Sequence, residues 1–244
     1  MVRYLYYFLY KYIYKNMTKG LQMVTPAVAR AARLASTLLS EDSPSNNVSL
    51  FDDLLTKGVR AGQIPAREKS AREWFRERAG EQTRINERSL LRQDPDRLTS
   101  RPLVGQMYMF YYDAKHKESL PYWDRFPLIF PYKKVNGGFM GINLHYLPLN
   151  YRAILMDAMY TTSNNKKYDE TTRLKLNYQT LNNASKFRYF KPTVKHYLTD
   201  HVRSKFMYVY PSEWDIALFL PTERFVGARK TKVFADSRKI IKDS

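Results

Sequence analysis

Asn136-Gly137-Gly138 is the feature of this sequence that most restricts its fold. It stands between RFPLIFPYKKV and FMGINLHYLP, two runs rich in aromatic and β-branched residues. Asn and Gly accept the positive φ that a tight hairpin turn requires, so the two runs are predicted to pair as antiparallel strands. GQMYMFYYDAK before them and SKFMYVYP after them read as further strands of the same kind. Past Pro148 the period changes: Tyr151, Ile154, Leu155, Ala158 and Met159 share one helical face. Further helices are predicted over 171–184 and 190–202, SEWDIALFLP as a short helix opened by Ser212, and KVFADSRKII as a basic tail. The fold class is α+β: a small antiparallel sheet of three to five strands covered by helices, with an extended, largely helical N-terminal arm. An OB-like or SH3-like barrel fits the same strands.

The N-terminal hundred residues have another texture. MVRYLYYFLYKYIY opens the chain, Lys11 interrupts its apolar run, and no small-residue cleavage site follows. It is shorter than the roughly 20 apolar residues of a spanning helix, so no membrane span is expected. A docked aromatic element, an interfacial segment with snorkelling lysines and an over-extended start (Met17 and Met23 are alternatives) all fit. TPAVARAARLASTLLSE follows, a helix opened at Thr25-Pro26 and stopped by Ser43-Pro44-Ser45-Asn46-Asn47. Residues 51–101 hold 12 Lys and Arg and 9 Asp and Glu, and 68–92 is predicted as a solvated helix with few large apolar anchors. The organisation read from this is an aromatic and alanine-rich assembly arm at 1–50, a charged helical linker at 51–101 and a basic core domain at 102–244.

Charge decides the class of partner. The chain has 41 Lys and Arg against 23 Asp and Glu, a formal +18. Such an excess repels itself when folded and attracts polyanions, above all nucleic acid, whose condensed counterions are released on binding. Twenty Tyr and 13 Phe exclude wholesale disorder, and the absence of cysteine removes disulfides, thiol nucleophiles and thiolate metal sites.

Little in the sequence points to catalysis, and no enzyme activity, cofactor or metal is expected. Neither GxxxxGK[ST] nor a strand-linked GxGxxG occurs, and GGFMG belongs to the hairpin. His116, His145, His196 and His201 match no zinc spacing, and His145 reads as a satisfied sheet histidine. Asp113-Ala114-Lys115, with Asp124 or Asp157 as partner, is the one arrangement resembling a metal-dependent nuclease. The simpler reading is that Asp113 opens the turn DAKHKES.

Basic residues interleaved with aromatics carry more. Arg173, Lys175, Lys186, Arg188, Lys191, Lys195, Arg203 and Lys205 fall in a stretch with one acid, Asp200, and Arg229, Lys230 and Lys232 form a second cluster. Phe187, Tyr189, Phe190 and Tyr197 lie among the first group. Cations that meet phosphates beside rings that stack on bases suit polyanion binding, although rings this plentiful are also ordinary core. These eleven basic residues are the candidate nucleic-acid contacts. No base-reading motif accompanies them.

VGQMYMFYYDAKHKESLPYWDRFPLIFPY, with GGFMGINLHYLP, RAILMDAMY, ASKFRYFKPTVKHYL, EWDIALFLPTERF and VFADSRKII, resembles the DNA end protectors of T4-like tailed phages. The resemblance spans roughly 102–241, and residues 1–101 lie outside it. It implies a virion protein, present in the host cytoplasm during assembly, that shields the end of packaged linear DNA near the portal and neck and completes heads. It transfers no catalytic residue. The leading expectation is therefore sequence-independent binding of double-stranded DNA, with residues 1–101 meeting other virion proteins. The alternatives are a neck, tail or baseplate subunit whose basic surface mates with acidic neighbours and, third, the nuclease.

Overall fold

The structure, a computed structural model, describes residues 49–63, 69–83, 85–163 and 168–243. The arm expected over 1–50 lies outside them except for its last two residues. Ser49 is the N-cap of helix α1 (Leu50–Arg60), its hydroxyl accepting from the Asp52 amide at 3.2 Å. Residues 49–244 then form one unit.

The charged segment is not one solvated helix. It forms α1, α2 (Lys69–Gly80) and α3 (Glu87–Gln93), and α2 packs against α6 (Trp214–Phe219). Ala71, Phe75 and Ala79 recur every fourth residue of α2 and are all buried, a stripe made narrow by its two alanines. Gly58 of α1 lets the two helices close up, since a Cβ there would lie 2.2 Å from Phe75 Cζ. Charges on the other side of the stripe also find partners. Arg76 donates to Asp215 at 2.8 Å and to Asp157 at 3.0 Å, and Arg72 pairs with Asp157 at 3.1 Å. Burial raises the Asp215 carboxyl pKa and Arg76 opposes the rise.

Six strands form an antiparallel sheet in the order β1 (Leu98–Thr99), β7 (Phe206–Val209), β2 (Met107–Met109), β4 (Leu128–Val135), β5 (Gly138–Asn143) and β6 (Val194–Leu198). Two short strands, β3 (Trp123–Asp124) and β8 (Phe225–Val226), pair separately. The predicted hairpin is β4–β5, and Gly137 supplies φ +72 at its turn. The helix predicted over 190–202 is absent: Arg188–Thr193 is a 3-10 turn, Val194–Leu198 is β6, and Thr199–His201 is another 3-10 turn. Pro192 removes a helical donor, and the following VKHYL pairs along β5 from Ile142↔Val194 to Gly138↔Leu198.

Side chains alternate across the sheet. Tyr108, Phe110, Ile129, Phe139, Tyr197 and Phe206 form a buried, largely aromatic cluster. Phe110 is at its centre, 4.7 Å from Phe206 and 5.5 Å from Tyr197 between ring centroids. Phe130, next to Ile129 and so on the other face, meets the Trp214 ring edge-on at 5.1 Å. Helix α5 (Glu170–Ala184) packs on β4 and on α4 (Leu149–Ser163), and α4 in turn meets α6. The basic tail is helical, α7 (Lys230–Asp243), and buries Val233, Ser237 and Ile241. Among the described residues no helix is long and apolar enough to cross a membrane.

Candidate nucleic-acid interface

The first basic cluster begins where α5 ends. Lys186, Arg188 and Lys191 are all exposed, on and just before the 3-10 turn Arg188–Thr193. That turn packs against α7, the helix that carries Lys230 and Lys232 and is preceded by Arg229, all three again exposed. Two clusters about forty residues apart in sequence thus lie on adjoining elements. The turn is held from inside: Thr193 donates to the Phe190 carbonyl at 2.5 Å, and Pro192 and Thr193 are buried. Backbone fixed in this way presents cations from a rigid support.

The aromatics divide. Tyr197 is core, stacked on Phe139 at 5.4 Å. Phe187 is 59% exposed and Tyr189 39%. Tyr189 has Tyr151 6.1 Å away and near parallel, and the Arg188 guanidinium 4.9 Å from its centroid. These two rings, not Tyr197, are open to a base.

Other predicted contacts fall elsewhere. Arg173 and Lys175 are on α5, the first half-buried and the second exposed. Lys205 is exposed beside β7, and Arg203 is exposed in the loop before it. Lys195 on β6 is half-buried, with its ammonium 4.0 Å from the Tyr146 centroid. Burial pulls its pKa down to about 8, so it is a less available phosphate ligand than its neighbours.

Beneath the basic elements is a buried polar network. His145 Nδ1 is 2.7 Å from Asp124 and its Nε2 3.2 Å from Thr222, so this histidine is satisfied, as expected, but it sits on the 3-10 turn Leu144–Tyr146 that follows β5 and not in the sheet. Asn143 joins it by donating to Asp124 at 3.1 Å and to the Tyr197 hydroxyl at 3.0 Å. Arg152, wholly buried, donates to the Leu147 and Leu218 carbonyls and at 2.6 Å to Glu223. Burial raises the Glu223 carboxyl pKa, but Arg152, with His145 and Lys230, more than reverses this and brings it down to about 2. Lys230 lies 3.7 Å from Glu223 and ties the start of α7 to the same network.

The three carboxylates considered for a nuclease have separate partners. Asp113 is bound to Lys117 at 2.7 Å, which lowers its pKa; Asp124 meets His145, and Asp157 meets Arg72 and Arg76. Among the described residues no group of three His, Asp or Glu is placed to hold a metal ion.

A family model described as Phage T4 terminal DNA protecting protein matches residues 9–243. The match begins far upstream of the resemblance read over 102–241 and takes in most of the N-terminal hundred residues. No curated protein and no solved structure matches the chain.

Proposed function

The chain belongs to the phage T4 terminal DNA protecting protein family, and from that premise we propose that it is a virion component that binds the end of double-stranded DNA through its phosphates, without reading sequence. The observation that best supports this is the packing of the turn Arg188–Thr193 on α7. It draws the exposed Lys186, Arg188 and Lys191 and the exposed Arg229, Lys230 and Lys232 onto neighbouring elements of one rigid support. Duplex DNA carries one negative charge per about 1.7 Å of axis, so a surface of this kind engages several phosphates together and releases their counterions. Phosphate contacts fix position without carrying sequence information. The role needs no bond-making step. It places the protein on packaged DNA near the portal and neck, with residues 1–101 as the region that meets other virion proteins.

Binding of a fluorescent linear duplex, followed by anisotropy across a salt series, tests the reading. Engagement of six phosphates predicts a fall in affinity of about a thousandfold or more between 50 and 200 mM salt. Changing Lys186, Arg188 and Lys191 together to Glu lowers both the affinity and the salt slope. A flat response, or no binding at 50 mM salt, overturns it.

A further inference from the structure

Apart from the turn and α7, a cavity of about 570 Å³ opens beside the aromatic cluster. That volume falls in the range of small-molecule sites, about 300–1,000 Å³. Arg88, Arg125 and Arg203 line it, and so do Tyr111, Trp123 and Asp113. The three arginines come from three distant parts of the chain and all are exposed. Among the described residues neither Arg88 nor Arg125 has a carboxylate within 4.0 Å. Asp113 is already bound to Lys117, with Arg203 3.8 Å away, so it leaves the cavity cationic.

The site is built by backbone bonds. The Arg203 amide donates to the Tyr111 carbonyl at 2.8 Å, and the Tyr112 amide donates to the Arg125 carbonyl at 3.0 Å. The Arg125 amide donates to the Arg224 carbonyl at 2.7 Å, and the Asp113 amide to that of His201 at 3.0 Å. Trp123 is held by β3 pairing with β8. Tyr111 and Trp123 are half-buried, so each keeps open surface.

Guanidinium groups grip phosphate oxygens in pairs, and aromatic rings stack on any base without preference. A cavity offering both suits a nucleotide whose base face and phosphate are reachable together. Inside a duplex the base faces are covered by their neighbours; at the last pair one face and the terminal phosphate are free. We propose that this cavity holds the terminal, phosphorylated nucleotide of duplex DNA, with Arg125 and Arg203 on the phosphate and Trp123 or Tyr111 against the base. The proposal rests on the DNA-end-binding reading above and adds to it the site that holds the terminal nucleotide.

The test compares the full chain on a 5′-phosphorylated linear duplex and on a covalently closed circle of the same sequence, with 5′-dephosphorylated linear DNA as a third arm. We expect the linear phosphorylated form to bind about tenfold tighter than the circle, and dephosphorylation to remove part of that margin. The double variant Arg125→Ala with Arg203→Ala leaves those backbone bonds in place; it is expected to melt as the parent does and bind the circle as before, but to lose the preference for ends. In a second variant, Trp123→Phe, the fluorescence quenching caused by a DNA end is expected to fall away while the ring packing is kept. If the parent binds neither form, the DNA-binding reading itself fails. If it binds both forms equally, phosphate binding stands but end recognition fails, and the cavity proposal fails with it. If the parent prefers ends and the double variant does too, end recognition stands and the cavity proposal alone is overturned. The cavity proposal is likewise overturned if the double variant loses affinity for both forms alike.

Discussion

Replacing Arg97 by Met tests whether the charged N-terminal segment is part of the folded body. Arg97 is 4% exposed and Glu213, its partner across the fold, is 0% exposed. The guanidinium donates to both Glu213 oxygens, at 3.0 and 3.3 Å, and to Asp94 at 3.1 Å, and stands 5.5 Å from the Phe51 ring and 5.0 Å from that of Tyr210. It thus joins α1, the turn before β1 and the turn before α6. Met fills similar space without charge and leaves Glu213 ionised in the interior with the Tyr210 amide as a retained donor at 3.1 Å. Removing one member of a buried pair costs about 3–5 kcal/mol. With about 2–4 °C per kcal/mol for a body of this size, the melting temperature falls by about 6–20 °C. Thermal melts and urea titrations of the full chain give the number. Adding Glu213→Gln, which keeps an acceptor for Tyr210 but no charge, recovers part of the loss, with a coupling of about 0.5–3 kcal/mol. A loss below about 1 kcal/mol, or a double variant as unstable as the two single losses added, refutes the reasoning and returns 51–101 to the status of a linker.

Two further outcomes follow from burial. Lys195 has a folded-state pKa near 8 against an ordinary 10.5, so its charge costs stability in full below pH 8, and the cost vanishes as pH rises from 8 to 10.5. After discounting for partial exposure and the lost Tyr146 contact, Lys195→Met gains about 1–2 kcal/mol at pH 7 in denaturant titrations. That gain shrinks toward zero by pH 10.5; a pH-independent difference contradicts this account. Gly58→Ala and Gly80→Ala make the same chemical change with opposite results: the first drives a methyl into Phe75 and costs about 1–3 kcal/mol, while the second meets nothing within 4 Å and is neutral or gains up to about 1 kcal/mol.

The parts of the fold legible in sequence are those where a local rule and the tertiary structure agree. Asn136-Gly137 marks the β4–β5 turn because its positive φ is a local demand. The helix at 149–163 is legible from its period but its facing is not. It buries Leu155, Met156, Met159 and Tyr160, whereas Ile154 and Ala158 of the face read from sequence are exposed, because the helix turns Arg152 inward to Glu223. β6 is hidden because it is an edge strand whose one fully inward residue is Tyr197, so no alternation shows. Docking of α2 is hidden because two of its three anchors are alanines. The basic turn and tail are legible as clusters, but only packing shows that they adjoin. Arg88 and Arg125 stand out in no local pattern. Arg125 and Arg203 are placed at the cavity by backbone bonds to Arg224 and Tyr111, segments roughly a hundred residues away, which no spacing in the sequence records.

The central claim is that the chain acts at DNA ends, and protection of those ends measures it directly. A linear duplex and a gapped circle of the same sequence are incubated with the full chain and digested by one exonuclease able to enter at either an end or a gap. The account predicts that saturating protein slows loss of the linear molecule by at least about tenfold while the gapped circle is degraded nearly as fast as without protein. Equal protection of both, or none of either while the protein is bound, would contradict it.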